Sequence, residues 1–388
     1  MTDNKQIINQ CPVAKKCGGC QLTNMTYEQQ LSWKQRRAIS LLGKFAHVNE
    51  ICGMKDPFHY RNKVQAAFGT TRGGAIISGV YQSSTHNIVK VDSCMIEDVT
   101  ADEIIVTIRN MIKSFKLGVY DERTRKGFLR HVLIKRGFAT NEVMVVLVTG
   151  TVEFPSKNAF VKELVKRHPC ITTVVQNVNN AFTSLVLGEK ELVLYGDGYI
   201  SDILCSLRFR ISPKSFYQIN PVQTEAMYSY AIKIAEINKD SRVLDAYCGI
   251  GTIGLIASQS AKEVVGIELN PEAVKDAKFN ARLNSVDNIQ FICADAGKMM
   301  VEAAKHKEKF DVVIMDPPRA GSDINFMSSV VRLSPKKIVY ISCNPETLAR
   351  DLLYFSKHKY KIKRIQPFDM FPHTSHIETV VMLSRAGD

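Results

Sequence analysis

The chain has 388 residues, with 51 Lys and Arg against 38 Asp and Glu, and a formal net charge of +13. Hydrophobic residues make up 45% and charged residues 23%, the proportions of an ordinary globular protein, which excludes a disordered or collagen-like chain. No apolar run reaches the ~18–20 residues of a membrane span, and the N-terminus lacks a secretory hydrophobic core, so a cytoplasmic protein of two domains with ten reduced cysteines is expected.

Taken in chain order, the first signal is Cys11, Cys17 and Cys20, a C-x5-C-x2-C run with Gly18-Gly19 as a tight turn. Three thiols so close in sequence are hard to explain as core packing. A metal site needs a fourth ligand, and Cys94 in VDSCMI is the candidate. All-thiolate ligation suits a 4Fe–4S cluster or tetrahedral zinc. Cys52, Cys170, Cys205, Cys248 and Cys293 read as structural.

The spacing of Tyr27, Leu31, Ile39 and Leu42 predicts a helix over 26–45. Gly-punctuated strand-like pieces follow over 61–95, then a helix in VTADEIIVTIRNMIKSF. From 127 to 211 short β runs dominate (FLRHVLIKRGF, EVMVVLVTG, CITTVVQNV, SLVLG, LVLYG, LRFRIS), interrupted by one helix at 156–168. This predicts an α+β region with a mostly antiparallel sheet. Residues 1–240 hold 31 basic and 21 acidic side chains, so most of the positive excess lies in this part. Its patches interleave cations with aromatics, in Trp33-Lys34-Gln35-Arg36-Arg37, in Tyr60-Arg61-Asn62-Lys63, and over 121–136, which includes Arg130. That composition suits phosphate contacts and base stacking, so the patches read either as a nucleic-acid-binding face, with Arg61 and Arg130 as candidate contacts, or as a solvated surface.

After residue 222 strands alternate with helices, which predicts a doubly wound, mostly parallel α/β sheet. Gly249, Gly251 and Gly254 form G-x-G-x-x-G after the strand RVLDAY, a weak dinucleotide signal alone. Glu268 ends the next strand, where a carboxylate can meet ribose hydroxyls, and Asp295 ends the third. Asp245 inside the turn suits a cationic amino-acid group and would repel a pyrophosphate, and Asp316-Pro317-Pro318-Arg319 follows a fourth strand. These features favour S-adenosylmethionine over NAD, and VLDAYCGIGTIG, GIELN and DPPR together resemble a class I methyltransferase. Cys343, in YISCNP, lies after an apolar strand and before a helix, where a thiol gains thiolate character. Glu378 opens the last strand and reads either as a surface residue or as a group entering the same crevice. A thiolate that adds to pyrimidine C6 makes C5 nucleophilic, and a base must then remove the C5 proton.

SPKSFYQINP (212–221), LDAYCGIG, GIELNPEAV, MDPPRAG, YISCNPETLARD and FDMFPHTSHIETV resemble the RNA uracil-C5 methyltransferase family. The resemblance implies a Rossmann-like methyltransferase domain over 212–388 and an α+β iron–sulfur and RNA-binding region over 1–211, with helix 26–45 packing on the catalytic domain. It implies Cys343 as nucleophile and Glu378 as proton-abstracting base, with Gln218, Tyr247, Thr252, Glu268, Asp295 and Asp316 around S-adenosylmethionine. Phe216 resembles the aromatic beside the target base. Arg319 stands where RNA cytosine-C5 enzymes carry a cysteine. The cysteine spacing resembles the iron–sulfur branch acting on 23S rRNA, which implies a 4Fe–4S cluster on Cys11, Cys17, Cys20 and Cys94 rather than zinc. The short stretch before Cys11 resembles family members without an N-terminal OB-like domain. No membrane and no obligate protein partner is expected. The competing expectations are a tRNA uracil-C5 methyltransferase, a NAD-linked iron–sulfur oxidoreductase, and a non-catalytic RNA-binding scaffold.

Overall fold

The computed structural model describes residues 11–83, 85–183 and 185–386. The chain divides into two compact units. The first comprises Met1–Asn24, Pro57–Ile203 and Arg210–Lys214, and the second Met25–Asp56, Leu204–Phe209 and Ser215–Asp388. A short turn of helix, α1 (Ala14–Cys17), belongs to the first unit, and α2 (Tyr27–Leu42) belongs to the second. No helix among the described residues is long and apolar enough to cross a membrane.

The first unit continues with β1 (Lys63–Thr70), β2 (Ile76–Tyr81), β3 (Ile88–Lys90), α3 (Val99–Ser114), β4 (Leu129–Arg136), β5 (Val143–Thr149), α4 (Lys157–Arg167), β6 (Ile171–Val178) and β7 (Lys190–Tyr195). Its sheet has the order β3-β2-β1-β4-β5-β6-β7. Every neighbouring pair is antiparallel except β5 and β6, which α4 joins as a parallel crossover. β5, VMVVLVT, is buried along its whole length, as a central strand must be. Ile104, Ile108 and Ile112 of α3 and Phe160 and Leu164 of α4 pack on this sheet. The run expected at 184–188 starts at Ser184, outside the described residues, and Leu185–Gly188 form no strand.

The chain passes between the units through a hairpin of β8 (Ile200–Leu204) and β9 (Leu207–Ile211). The second unit follows with α5 (Pro221–Ala235), β10 (Arg242–Ala246), α6 (Thr252–Ser258), β11 (Glu263–Glu268), α7 (Pro271–Leu283), β12 (Ile289–Cys293), α8 (Ala296–Lys305), β13 (Val312–Met315), α9 (Ile324–Leu333), β14 (Lys337–Ser342), α10 (Pro345–Lys357), β15 (Tyr360–Phe368) and β16 (Glu378–Arg385). The sheet order is β12-β11-β10-β13-β14-β16-β15. β10 to β14 run parallel, and β16 inserts antiparallel between β14 and β15. The expected doubly wound α/β sheet is thus present, beside an α+β unit whose sheet is mostly antiparallel.

Three helices of this unit start alike. α5, α7 and α10 each begin with Asn-Pro, at Asn220, Asn270 and Asn344, and each Asn side chain accepts an N–H of the first turn. Proline fits the first helical position because that N–H has no partner in any case. The strand order reverses at β10, flanked by β11 and β13, and such a reversal opens a crevice at the carboxyl ends of the strands.

α2 closes one side of the second unit. Thr26 and Gln29 form a reciprocal cap at its start. Ala38 and Leu42 join the core formed with Leu348, Leu352 and Ile365. Lys34, wholly buried, donates to the equally buried Asp369 at 2.5 Å and to the Phe371 carbonyl at 3.0 Å. One turn earlier, the Gln30 side-chain Oε1 accepts the His373 backbone N–H at 2.8 Å. The segment leading to Glu378 is therefore held by α2 through polar contacts in a dry interior. Removing one member of a buried ion pair leaves an uncompensated charge, at a cost of about 3–5 kcal/mol. Lys34→Met is expected to lower unfolding stability by that amount in urea titrations and to raise the protease sensitivity of 369–377. A loss under 1 kcal/mol would contradict this account.

Candidate active site

Val243-Leu244-Asp245-Ala246 is the apolar strand β10, and its carboxyl end turns sharply through Tyr247 (φ 65), Gly249 (φ 56) and Gly251 (φ 84). Glycine is required at 251, since a Cβ there would lie 2.6 Å from the Phe291 ring. Asp245, buried, accepts the Gly254 N–H at 2.8 Å and so caps the first turn of α6. Glu268 accepts the Gly249 N–H at 3.1 Å and the Asn270 N–H at 2.8 Å, which ties the ends of β10 and β11 together. The Tyr247 hydroxyl faces the Ser322 hydroxyl at 3.4 Å, and its ring packs on Phe326.

The next two strands bring further acids to the same edge. Asp316 follows β13, and among the described residues no donor reaches its carboxylate; burial pushes it up to about 7. Burial, with repulsion from Asp316 and Glu268, pushes Asp245 up to about 8, against the Gly254 hydrogen bond. Ser342 pairs with Thr379 across β14 and β16, and the next step of that ladder sets Cys343 opposite Glu378. Glu378 is 4% exposed. Its proton affinity is raised strongly by burial and then by Asp316, and is lowered by Arg319. Burial, Glu378 and Asp316 push the Cys343 thiol up to about 11, while the Arg319 guanidinium, hydrogen-bonded to it, pulls it down.

The loop after Asp316 is fixed from below. The buried Asp351 carboxylate accepts the Tyr340 hydroxyl at 2.7 Å, the Ser322 N–H at 2.9 Å and Arg350 Nε at 2.8 Å. Asn344 and Thr347, at the start of α10, donate to the Arg319 carbonyl at 3.2 Å each. Arg319 itself reaches the His376 ring at 3.2 Å. Arg37, Arg319, Cys343, Asn344, Ser375 and His376 line a cavity of about 210 Å³. A thiol, two acids and the Arg319 guanidinium thus meet at one sheet edge, beside a glycine turn with two further carboxylates. Crowded acids in a dry crevice are destabilised until a cation joins them. The crevice therefore fits a ligand that is cationic at one end and carries hydroxyls at the other.

Gln218 and Thr252 meet indirectly. Gln218 donates to the buried Tyr228 hydroxyl at 3.4 Å, which also contacts the Thr252 side chain and lies near Asp316. Sequence reasoning missed Tyr228, whose place on α5 reads as ordinary helix-core spacing. It also missed the contact between Arg319 and His376. Asp295 is the N-cap of α8, accepting the Lys298 N–H at 2.9 Å, and its charge is felt at Tyr247. Phe216 is 62% exposed in the segment before α5.

The remaining expected site residues lie in the first unit. Cys11, Cys17, Cys20 and Cys94 line one cavity of about 330 Å³. Burial pushes the Cys20 thiol up to about 11, against Arg61 and with Cys17 and Cys11, and burial with Glu97 pushes Cys94 up to about 12. Among the described residues no group of three or more His, Cys, Asp or Glu side chains is disposed to hold a metal ion. The donor chemistry, four thiols facing one space, nevertheless fits an all-thiolate group. Arg61 lies on the wall of this cavity, and its Nε is buried without a hydrogen bond. Arg130 is buried, with its guanidinium engaged by Glu122 at 3.0 Å and by the carbonyls of Asn179 at 2.6 Å and Ala181 at 3.2 Å.

The family model of tRNA (uracil-5-)-methyltransferases matches residues 189–386. A protein of Oceanobacillus iheyensis named an uncharacterized RNA methyltransferase is 44% identical over 95% of this chain and 81% of its own length. One so named from Clostridium acetobutylicum is 43% identical over 97% of this chain and 83% of its own. The crystal structure of Pyrococcus abyssi tRNA (uracil-54, C5)-methyltransferase in complex with S-adenosyl-L-homocysteine is similar with a TM-score of 0.78 and 30% identity, over 97% of this chain and 88% of that one.

The electrostatics of Cys343 generate a pH prediction. A raised thiol pKa keeps the neutral form below it, and the thiolate fraction grows about tenfold per pH unit up to the pKa. Iodoacetamide labelling of Cys343, followed by mass spectrometry of its peptide, is expected to be slow at pH 7 and to rise through pH 10, and to slow further in Arg319→Ala. Labelling that levels off by pH 8 would contradict the reading.

Proposed function

The chain belongs to the tRNA (uracil-5-)-methyltransferase family, and from that premise we propose that it transfers a methyl group from S-adenosylmethionine to C5 of a uridine in 23S rRNA, in the cytoplasm. The observation that carries this reading is the convergence of Cys343, Glu378 and Asp316 at one edge of the β10–β16 sheet. S-adenosylmethionine, when bound, supplies a methyl group on a cationic sulfur. Asp316 and Asp245 are the carboxylates that such a cation would return to the ionised state, and Glu268 would accept from ribose hydroxyls. Gln218, Tyr247, Thr252 and Asp295 complete the proposed cofactor set.

The chain's own steps are two. Once the thiol proton has passed to solvent, Cys343 Sγ bonds to C6 of the uracil; the C5–C6 π pair moves to C5, which takes the methyl group while the donor sulfur keeps the bonding pair. Glu378 then accepts the C5 proton, the C5–C6 double bond re-forms and the S–C6 bond breaks. A carboxylate with a raised proton affinity suits removal of so weakly acidic a proton. Arg319 stabilises the thiolate both before addition and after release. Phe216, exposed before α5, offers a stacking face for the extruded base.

Cys11, Cys17, Cys20 and Cys94 would hold a 4Fe–4S cluster, which would cross-link the segment before α2 to the loop before α3. Their spacing supports 23S rRNA as substrate. The 30% identity to the archaeal tRNA (uracil-54, C5) enzyme supports tRNA as the second reading.

Incubation with unmodified total RNA and methyl-labelled S-adenosylmethionine is expected to yield 5-methyluridine, mapped to 23S rRNA. Cys343→Ala is expected to abolish transfer, and a fully active variant would sink the mechanism. Glu378→Gln is expected to accumulate a protein–RNA adduct stable on a denaturing gel, because the methylated intermediate keeps its C5 proton. Protein isolated without oxygen is expected to contain about four iron and four sulfide per chain, and Cys20→Ser to lose them. One zinc per chain in their place would overturn the cluster.

A further inference from the structure

Phe182 lies in the first unit, in the loop between β6 and β7, and is 79% exposed, with Leu185 in the same loop at 70%. A lone exposed apolar side chain is ordinary, but this ring also carries a guanidinium, that of Arg125. The loop is held by its base. Asn179, 2% exposed, donates from Nδ2 to the carbonyls of Leu185 at 2.8 Å and Val186 at 3.0 Å. The buried Arg130 donates to the carbonyls of Asn179 and Ala181, just before Phe182.

The same arginine ties this loop to a basic turn. Glu122 accepts from Arg130 at 3.0 Å and leads into Arg123, Thr124, Arg125 and Lys126, all exposed. Asp121 accepts the N–H groups of Arg123 at 2.8 Å and Thr124 at 3.3 Å, and lies 3.6 Å from the Arg123 guanidinium. The two acids of the turn are therefore both engaged, Asp121 within it and Glu122 by Arg130 of β4. The Arg125 guanidinium sits 4.7 Å from the centroid of the Phe182 ring. One face of the ring thus meets a cation, and most of the rest is open to solvent. An open aromatic with a cation on one face fits a nucleobase on its other face and the adjoining phosphate at the guanidinium.

We propose that Phe182, with Arg125 on its ring, is a stacking site in the first unit for an unpaired base of the RNA substrate. The proposal rests on the reading of the chain as an RNA methyltransferase. It adds a contact outside the methyl-transfer crevice of the second unit.

The test uses the full chain and two probes, a labelled single-stranded oligouridylate of about twelve nucleotides, within the roughly 4–16 such sites span, and unmodified total RNA. Base–aromatic stacking is worth about 1–3 kcal/mol, or about 5–150-fold. Phe182→Ala is expected to weaken oligouridylate binding and to raise KM for total RNA by a factor in that range, with kcat within about twofold. Phe182→Trp is expected to restore both, and its added indole emission to be quenched by RNA, with the wild type, whose one tryptophan is Trp33, as control. Unaltered binding and KM in Phe182→Ala, or indole emission unmoved at RNA saturation, would overturn the proposal, and a face that serves a protein partner predicts that outcome. A wild type that methylates RNA beside an unaffected Phe182→Ala overturns this inference alone. A wild type that neither binds nor methylates RNA overturns the functional reading with it.

Discussion

The pair of Lys34 and Asp369 is the contact on which the second unit's chemistry depends. Both side chains are fully out of water, so the loss of either leaves the other buried without its counter-charge. Asp369 lies nine residues before Glu378, and the intervening turn carries His373, held by Gln30, and His376, held against Arg319. At its far end the same turn feeds β16, whose register with β14 sets Glu378 beside Cys343. A helix from the first fifty residues thereby fixes the entry of the last strand. Asn220 and Gln223 of α5 reinforce this from another direction, donating to the carbonyls of Met370 and Asp369.

The crevice has the opposite character. Asp245, Glu268, Asp316 and Glu378 crowd one sheet edge, with Arg319 as the cation acting on Cys343. In isolation this arrangement is uncomfortable, since burial raises Asp316, and burial with the Asp316 charge raises Asp245 and Glu378. The surrounding scaffold supports it through rigid hydrogen bonds: the Asp351 hub beneath the 316–322 loop, the asparagine caps, and the glycine turn. The discomfort is useful to a site whose proposed ligand is a cation and whose proposed reaction moves one proton.

Much of this was legible in the sequence because it resides in local pattern. The apolar runs near Asp245, Glu268, Asp316 and Cys343 alternate with helical segments, which read as parallel strands with those residues near one edge, although Asp245, expected inside the turn, lies within β10. What stayed hidden was set by tertiary contact. The parallel pairing of β5 with β6 depends on the α4 crossover and leaves no mark on either strand. Arg61 and Arg130 look alike in a list of basic residues. Only the fold distinguishes the wall of a thiol cavity from the anchor of a loop. Tyr228 and the contact of Arg319 with His376 join segments far apart in the chain, which spacing alone does not encode.

The position of β16 has a consequence for synthesis. It is the last strand of its sheet in sequence, yet it lies between β14 and β15 and not at the rim. A nascent chain that has emerged through α10 and β15 has a partner missing on both sides of the gap, and it also lacks Glu378. Closure of the sheet and arrival of the proposed base are then one event. A partly translated chain would have a thiol but no proton acceptor, so it could be alkylated by the substrate without releasing it. Because the strand that completes the core also carries the acid, such a species lacks the fold needed to bind RNA in the first place.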